Sequence, residues 1–395
     1  MKRLLILMMV LGFARASSAA KTEEDWRVGV REGGGGFFLS APDEKFHLSL
    51  LGYGQFAANA FLGQYESTVA RSDVPASFSL RRARFDLIAR VFRKFELLTE
   101  VGTPTLRGTT GVGGSDVGII ESRVTGPIYE DALQFRLGKF VIPFSSENAR
   151  SSRRLDSIER SLLLNSLIAA GYLDTQTGML FFGRALDGGI NYFFGVFNGN
   201  GQNLDNPPDD NRFKEFHFKF SFRPVSSFAF GLAYQYGKEN TRNFALLDHA
   251  FVPFATGQIN GRHHGLAFDF DVTERRWSLR SEFLYYSFPE LSSVTNRISA
   301  IYGANIHLGF FLSGSREEGE GFEWIIRSEW ARMVDQSADA PDLVSAIVGW
   351  NWWFNPNMRY QFNYIIEAPD QATGLGPYVS ASLKHVILNQ FQIMF

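Results

Sequence analysis

The residues best suited to chemistry in this chain are arginines, and they recur with a period of two. In Phe78-Ser79-Leu80-Arg81-Arg82-Ala83-Arg84-Phe85-Asp86-Leu87-Ile88-Ala89-Arg90, the residues Arg82, Arg84, Asp86 and Arg90 share one parity, with Leu80 and Ile88 as exceptions. Ala83, Phe85, Leu87 and Ala89 share the other. Successive side chains of a strand point to opposite faces, so a strand here would aim three guanidiniums one way and an apolar row the other. A guanidinium is always charged and forked, which suits it to phosphate or carboxylate. The plainer account is a solvated polar face whose charges are neutralised nearby, and Glu96 and Glu100 on the next run are placed to do that.

Other cations fall at comparable positions. Arg136, Lys219, Arg280, Arg327 and Arg359 each sit on the polar face of an alternating run, with Arg223 beside Lys219, and Glu121, Asp269, Asp271, Glu282, Glu323 and Glu329 occupy the same faces. Opposed walls of the two signs would focus a transverse field. The long segment from Phe144 to Thr177 carries Arg150, Arg153, Arg154 and Arg160 against Glu147, Asp156 and Glu159, and is expected to fold inward as a constriction loop. Its rival is an exposed helical turn with an i,i+4 pair between Asp156 and Arg160.

No catalytic set is expected. The chain lacks Cys, G-x-S-x-G and H-E-x-x-H, which removes thiol nucleophiles and the commonest serine and zinc hydrolase signatures. His263 and His264 are adjacent, so on a strand they face opposite ways and cannot share a metal. His249, in a long loop, is the one histidine placed where an outer-rim hydrolase would need it. No cofactor or metal is expected. Lys and Arg number 39 against 41 Asp and Glu, and discounting Lys2, Arg3 and Arg15 leaves 36 against 41, a net of −5. That balance excludes the basic excess of a nucleic-acid binder.

The elements that must carry these charges read as strands. Phe213 to Arg223 puts Phe216, Phe218, Phe220 and Phe222 opposite Glu215, His217, Lys219 and Arg223, and Ser227 to Tyr236 repeats the alternation after the turn Pro224-Val225-Ser226. Similar runs are 46–61, 78–92, 95–102, 117–125, 133–142, 178–185, 189–198, 262–272, 277–286, 298–312, 322–332, 343–354, 358–367 and 378–395, about sixteen in all. The even number suits a bacterial transmembrane barrel. The 39 Phe, 13 Tyr and 7 Trp suit a barrel that turns rings toward lipid. No stretch after Phe13 has 18 consecutive apolar residues, so if this chain spans a membrane a closed barrel is the architecture left.

Connections alternate in length. Tight ones at 92–95, 273–276 and 355–357 are expected at the periplasmic end, and long ones at 103–116, 144–177, 199–212 and 237–261 outside or in the lumen. Residues 1–20 resemble a cleavable export signal: Lys2 and Arg3, then Leu4 to Phe13, then Ser18-Ala19-Ala20. Residues 21–45, with Gly33 to Gly36, read as a flexible periplasmic leader, and 46–395 as the barrel. The final Gln390-Phe391-Gln392-Ile393-Met394-Phe395 is similar to the C-terminal strand bound by barrel assembly machinery.

Several segments, in order, resemble the phosphate-selective porin O/P family: 78–84, Leu137-Gly138-Lys139-Phe140-Val141-Ile142-Pro143-Phe144, Ile158-Glu159-Arg160-Ser161, Gly195-Val196-Phe197-Asn198-Gly199, Gly349 to Asn355, and Arg359 to Tyr364. The resemblance implies a homotrimer of sixteen-stranded barrels in the bacterial outer membrane, with an inward third loop and uptake of phosphate or polyphosphate along an arginine ladder. The chain departs from that pattern at Tyr53 and Gln390, where the family often has arginine. The expected function is passive diffusion of small hydrophilic solutes with some preference for anions. A general or sugar-permeable porin is the alternative within this fold. A structural or adhesive barrel is a third reading, against which sixteen strands argue, because small barrels fill with their own side chains.

Overall fold

The computed structural model describes residues 26–30, 36–62, 76–103, 117–199, 212–289, 297–335, 342–369 and 383–395. Two short strands come first, β1 (Arg27–Val30) and β2 (Phe37–Ser40). The barrel follows: β3 (Phe46–Leu62), β4 (Ala76–Val91), β5 (Phe95–Gly102), β6 (Gly118–Tyr129), β7 (Leu133–Val141), β8 (Thr175–Ala185), β9 (Ile190–Phe197), β10 (Glu215–Val225), β11 (Phe228–Leu247), β12 (Pro253–Thr273), β13 (Trp277–Ser287), β14 (Ile298–Ser315), β15 (Glu320–Asp335), β16 (Asp342–Asn355), β17 (Met358–Pro369) and β18 (Lys384–Met394). Each run expected from the alternation corresponds to one of these sixteen. The expected signal segment 1–20, most of 103–116 and 199–212, and residues 378–382 lie outside the described residues.

All sixteen pair antiparallel with their neighbours, and β18 closes the sheet on β3, from His385 opposite Leu62 to Met394 opposite Tyr53. The seam ends on the last residue. Phe395 and Gly52 exchange two backbone hydrogen bonds, both of 2.9 Å. A Cβ on Gly52 would lie 2.5 Å from the Phe395 ring, so glycine leaves the space that the terminal aromatic fills, beside Phe85. Past that point β3 has a free edge, which β2 takes from Phe37 opposite Leu50 to Ser40 opposite His47. β1 then pairs with β2. Where the sequence suggests a flexible leader, residues 27–30 and 37–40 thus extend the sheet, because an unpaired edge leaves amides to satisfy.

The two faces separate by chemistry. On β10, Phe218 and Phe220 are exposed outward while Glu215, His217 and Lys219 are buried inward. Phe85, Leu87, Leu232, Phe268, Phe283, Leu308, Ile326 and Val348 continue the exposed apolar belt. A belt of this extent is far larger than the patches soluble proteins tolerate, and fits contact with hydrocarbon.

Between β7 and β8 the chain turns into the barrel, through α1 (Ser146–Ala149) and α2 (Leu162–Ala169). In α2, Leu162, Leu163, Leu164, Leu167 and Ile168 are all buried. A helix this rich in leucine, with its Asn165 and Ser166 buried too, must be covered nearly all round, and here the cover includes a feature the sequence reading missed. Residues 237–261, expected as a loop, are mostly strand: β11 runs on to Leu247 and β12 begins at Pro253. A register shift between Glu239 and Arg242 interrupts this hairpin, and such bulges bend a strand. Its Phe244, Leu246, Phe254 and Ile259 join α2 in one apolar cluster.

The hairpin tip lies across the barrel mouth. Leu247 donates its N–H to Ser166 Oγ at 2.9 Å, and His249 donates its own to Glu367 of β17 at 2.8 Å. The His249 ring meets Glu329 of β15 at 3.1 Å, and Asp248 meets Lys384 of β18 at 3.3 Å. Burial opposes a charge on His249, but Glu329 and then Glu367 outweigh both that and Arg327, pushing its pKa up to about 9.

Two predictions follow from these contacts. Phe218→Arg is expected to cost about 2–4 kcal/mol of folding free energy in lipid if Phe218 lies near the midplane. Arg223→Ser, at an exposed inward position, should stay within about 0.5 kcal/mol; denaturant titration of both variants checks the assignment of faces, and equal costs would reverse it. For the mouth, a raised histidine pKa gives stability that is complete below the unfolded value near 6.5 and is lost as pH rises through about 9. Protease cleavage at residues 248–252 should therefore accelerate on alkalinisation through about pH 9 in the native protein, and His249→Ala should be cleaved readily at neutral pH. A pH-independent cleavage rate would show that the histidine does not hold the tip.

Candidate functional site: the charged lumen

The inward loop is held along its length by charges on the wall. Ser145 Oγ and Ser146 N–H both donate to Glu282 of β13 at 2.8 Å. Glu147 accepts two bonds from Arg327 of β15, at 2.7 and 3.1 Å. Farther along, Asp156 gathers Arg150 at 2.8 Å, Arg280 of β13, Arg316 of the β14–β15 turn at 3.1 Å, and His307 of β14 at 3.9 Å. Glu159 takes both terminal nitrogens of Arg81. The loop backbone is read too: Arg359 donates to Leu155 O at 2.8 Å, Asn351 to Asp156 O at 2.9 Å, and Ile158 N–H donates to Asn363 at 2.8 Å. Arg316, Asn351 and Arg359 all lie close to the short turns, so the loop descends well toward that end before α2 climbs back. Removing one member of a buried ion pair typically costs about 3–5 kcal/mol, which makes these clamps strong positional constraints.

The arginines and lysine singled out by sequence fall into two groups. Arg82 is 1 % exposed and donates to Gln55 at 3.0 Å. Arg84 pairs with Glu100 at 2.5 Å, Lys219 with Asp269 at 2.7 Å, Arg280 with Asp156 and Asp271, and Arg327 with Glu147 and Glu329. Arg150 is held by Asp156, and Arg160 donates to Ser152 Oγ and Arg150 O. Asp156 and Arg160 do not form the i,i+4 pair of the rival helical-turn reading, because residues 157–160 are not helical. These seven and Arg359 serve the protein's own architecture. The second group stays nearer water. Arg90 has 63 % of its side chain exposed beside Glu96, Arg136 donates to Thr125, and Arg153 meets Asp86 at 3.3 Å. Arg154 is exposed and makes no ion pair with a described residue.

Charges of opposite sign are therefore interleaved in contact, and do not form the opposed walls expected from sequence. The open space is also one-sided. Inward groups on β5 and β6 keep partial exposure, as at Glu96, Glu100, Glu121 and Arg123, whereas Arg82 and Asp86 on β4 and Glu282, Glu323, Glu329 and Arg359 on β13–β17 are almost fully covered. A cavity of about 510 Å³ follows the β4–β9 wall toward the short turns, lined by Arg90, Glu96, Thr125, Gln134, Arg136, Asn191 and Phe193 among others.

Sequence reasoning missed two sets of residues. Arg81 has the parity of the lipid face, yet a bulge between Gln55 and Phe56 makes it the extra residue of β4 and turns it to Glu159; the Arg81-Arg82 doublet inside an alternating run was the available signal. The second set is a run of amides. Asn351 donates to Glu323, Gln361 to Asn351, Gln390 to Gln361, and Gln55 to Gln392, with distances of 2.7–2.9 Å. Gln390, one of the two departures from the family pattern, belongs to this ladder. At the other, Tyr53, the Arg153 guanidinium lies 6.0 Å from the ring centroid. His249, the one rim-hydrolase candidate, is buried against Glu329 and away from solvent.

No protein-family model matches the sequence, and no curated protein does either. Solved structures match over nearly the whole chain. Salmonella typhi OmpF in complex with daunomycin superposes with a TM-score of 0.61 at 10 % identity, covering 89 % of this chain and 99 % of that one. The anion-selective porin of Comamonas acidovorans gives 0.58 at 10 % identity, over 89 % and 100 %. The outer membrane channel DcaP of Acinetobacter baumannii gives 0.58 at 10 % identity, over 89 % and 97 %. At such identities the likeness shows the fold alone, and that fold is the closed sixteen-stranded antiparallel barrel of these channels.

Proposed function

We propose that this chain is a diffusion porin of a bacterial outer membrane, passing small hydrophilic solutes with a weak preference for anions. The observation that carries the reading is the cavity along β4–β9, where charged side chains keep partial exposure while Glu282, Glu323, Glu329 and Arg359 across the barrel are covered. On that side Arg90, Arg123, Arg136, Arg153 and Arg154 keep some exposure beside Glu96, Glu100 and Glu121, five cations against three carboxylates. The excess favours anions, and the pairing keeps the effect small. A unit charge pair at 4 Å in water is worth about 1 kcal/mol, which bounds the preference at about five-fold for one open cation. Strict phosphate selectivity is not part of this reading, since the eight clamped cations are engaged by the protein itself.

The setting is proposed on similar grounds. Phe322, Trp324, Trp350, Trp352, Phe354, Tyr360 and Phe391 cluster on the outer surface near the short turns, as an aromatic girdle at a membrane interface would. Export by a signal at residues 1–20, recognition of the strand ending in Phe395 by barrel assembly machinery, and a homotrimer complete the proposal; the trimer rests on the family resemblance.

Reversal potentials across a salt gradient test the function. The native protein in planar bilayers should conduct with an anion preference below about five-fold. Arg153→Ser/Arg154→Ser should abolish that preference, and Arg82→Ser, removing a covered side chain, should leave it nearly unchanged. Absence of conductance, or cation preference in the native channel, would overturn the reading.

A further inference from the structure

Above the midpoint of the barrel, three strands place a histidine and two glutamates around a notch. Their register sets Glu215 of β10, Gly237 of β11 and His263 of β12 in one row, since Phe216 faces Tyr236 and Gly237 faces His263. Glu239 follows Gly237 on the same face. A side chain at position 237 would occupy the space between the two polar groups: a Cβ there would lie 2.9 Å from His263 Nε2 and 3.0 Å from Glu215 Cγ. Glycine at this one position keeps that space open.

His263 is 0 % exposed, yet neither ring nitrogen has a hydrogen-bond partner. Burying such nitrogens unsatisfied is costly, and it asks what the ring is aimed at. Nε2 lies 3.7 Å from a Glu215 oxygen and Nδ1 lies 3.6 Å from a Glu239 oxygen. One ligand atom from each of the three residues falls within 4.8 Å of the others. An imidazole binds an ion through one nitrogen, so one of these two separations is an edge of the coordination polyhedron; each is too long for a hydrogen bond and close to the edge set by metal–ligand bonds of about 2.0–2.2 Å, and the other carboxylate stays within 4.8 Å. The ring of Tyr172 stands edge-on to His263 with centroids 4.9 Å apart, so the site has an apolar lid. His217 and Gln235 both hydrogen-bond the other oxygen of Glu215 and orient it, as outer partners of metal ligands do.

We propose that Glu215, Glu239 and His263 form a binding site for a divalent transition-metal ion, with Zn²⁺ the ion best suited to one imidazole and two carboxylates. The rival for the carboxylates is Arg242, 2.8 Å from Glu239. It leaves the imidazole unsatisfied, and two carboxylates can share one guanidinium and one ion. The role is structural. Glu215 belongs to the barrel wall, whereas Glu239 stands where the β11–β12 hairpin begins to bend, so the ion would tie the mouth-covering hairpin to the wall.

The test uses the full purified protein in detergent, stripped with chelator and dialysed. Zn²⁺ titrated by calorimetry should bind at one ion per chain, and Co²⁺ should give the visible absorption of a low-symmetry nitrogen and oxygen site. His263→Asn and Glu215→Gln should each weaken Zn²⁺ binding at least ten-fold, while Glu121→Gln, on a distant wall, should not. The heat-dependent gel shift of each variant establishes that it remains folded. Protease cleavage at residues 248–252 should slow with Zn²⁺ in the native protein alone. Failure of the native protein to bind one equivalent, or equal binding by a folded His263→Asn, would overturn the proposal.

Discussion

The carboxylate of Asp156, gripped by guanidiniums from three parts of the chain, is the interaction on which the interior depends. Without it the inward loop would bring a charge into a confined lumen with nothing to offset its desolvation. With it, Arg150, Arg280 and Arg316 converge from the loop, from β13 and from a short turn. The loop is thereby fixed against β13 and the β14–β15 turn, and an open cavity remains along β4–β9. Glu147 with Arg327 and Glu159 with Arg81 repeat the same device on either side. The position of the cavity is thus a consequence of where acidic loop residues find basic wall residues.

This arrangement changes what an arginine-rich lumen means. A guanidinium facing a pore is available to a solute only if the protein has not already bound it. Here most inward arginines are committed to carboxylates, carbonyls or amides of the same chain, and the amides of Gln55, Gln361, Gln390 and Gln392 hold positions beside them without adding charge. The barrel's own loop takes the place that an anion would take.

Much of the barrel was legible before any coordinates, for a definite reason. Hydrocarbon outside and water inside force strict alternation, so Phe218 and Lys219 declare their faces by type alone. The terminal aromatic at Phe395 likewise marked the closing strand. Features that escaped are those in which alternation is broken or the partner is distant in sequence. Arg81 escaped because parity alone puts it on the apolar face, whereas a bulge adds a residue there. The hairpin beyond Gly237 looked like a loop because its apolar face is buried on α2 and not in lipid, so its alternation was never set against the right partner. For Asp156 sequence offered only Arg160, in the rival reading, as a partner, since nothing in it brings Arg280 or Arg316 across more than a hundred residues. His263 and His264 did face opposite ways as adjacency requires, but the neighbours of His263 come from three strands and no spacing reveals them.

The central claim is that the wall arginines hold the loop, and Asp156→Asn tests it most directly. The substitution keeps shape and removes the charge that gathers three guanidiniums. Single-channel recording with reversal potentials should then show a clear rise in anion preference over the native protein, together with noisier conductance as the loop loosens. Unchanged selectivity and conductance in a folded Asp156→Asn channel would contradict the account.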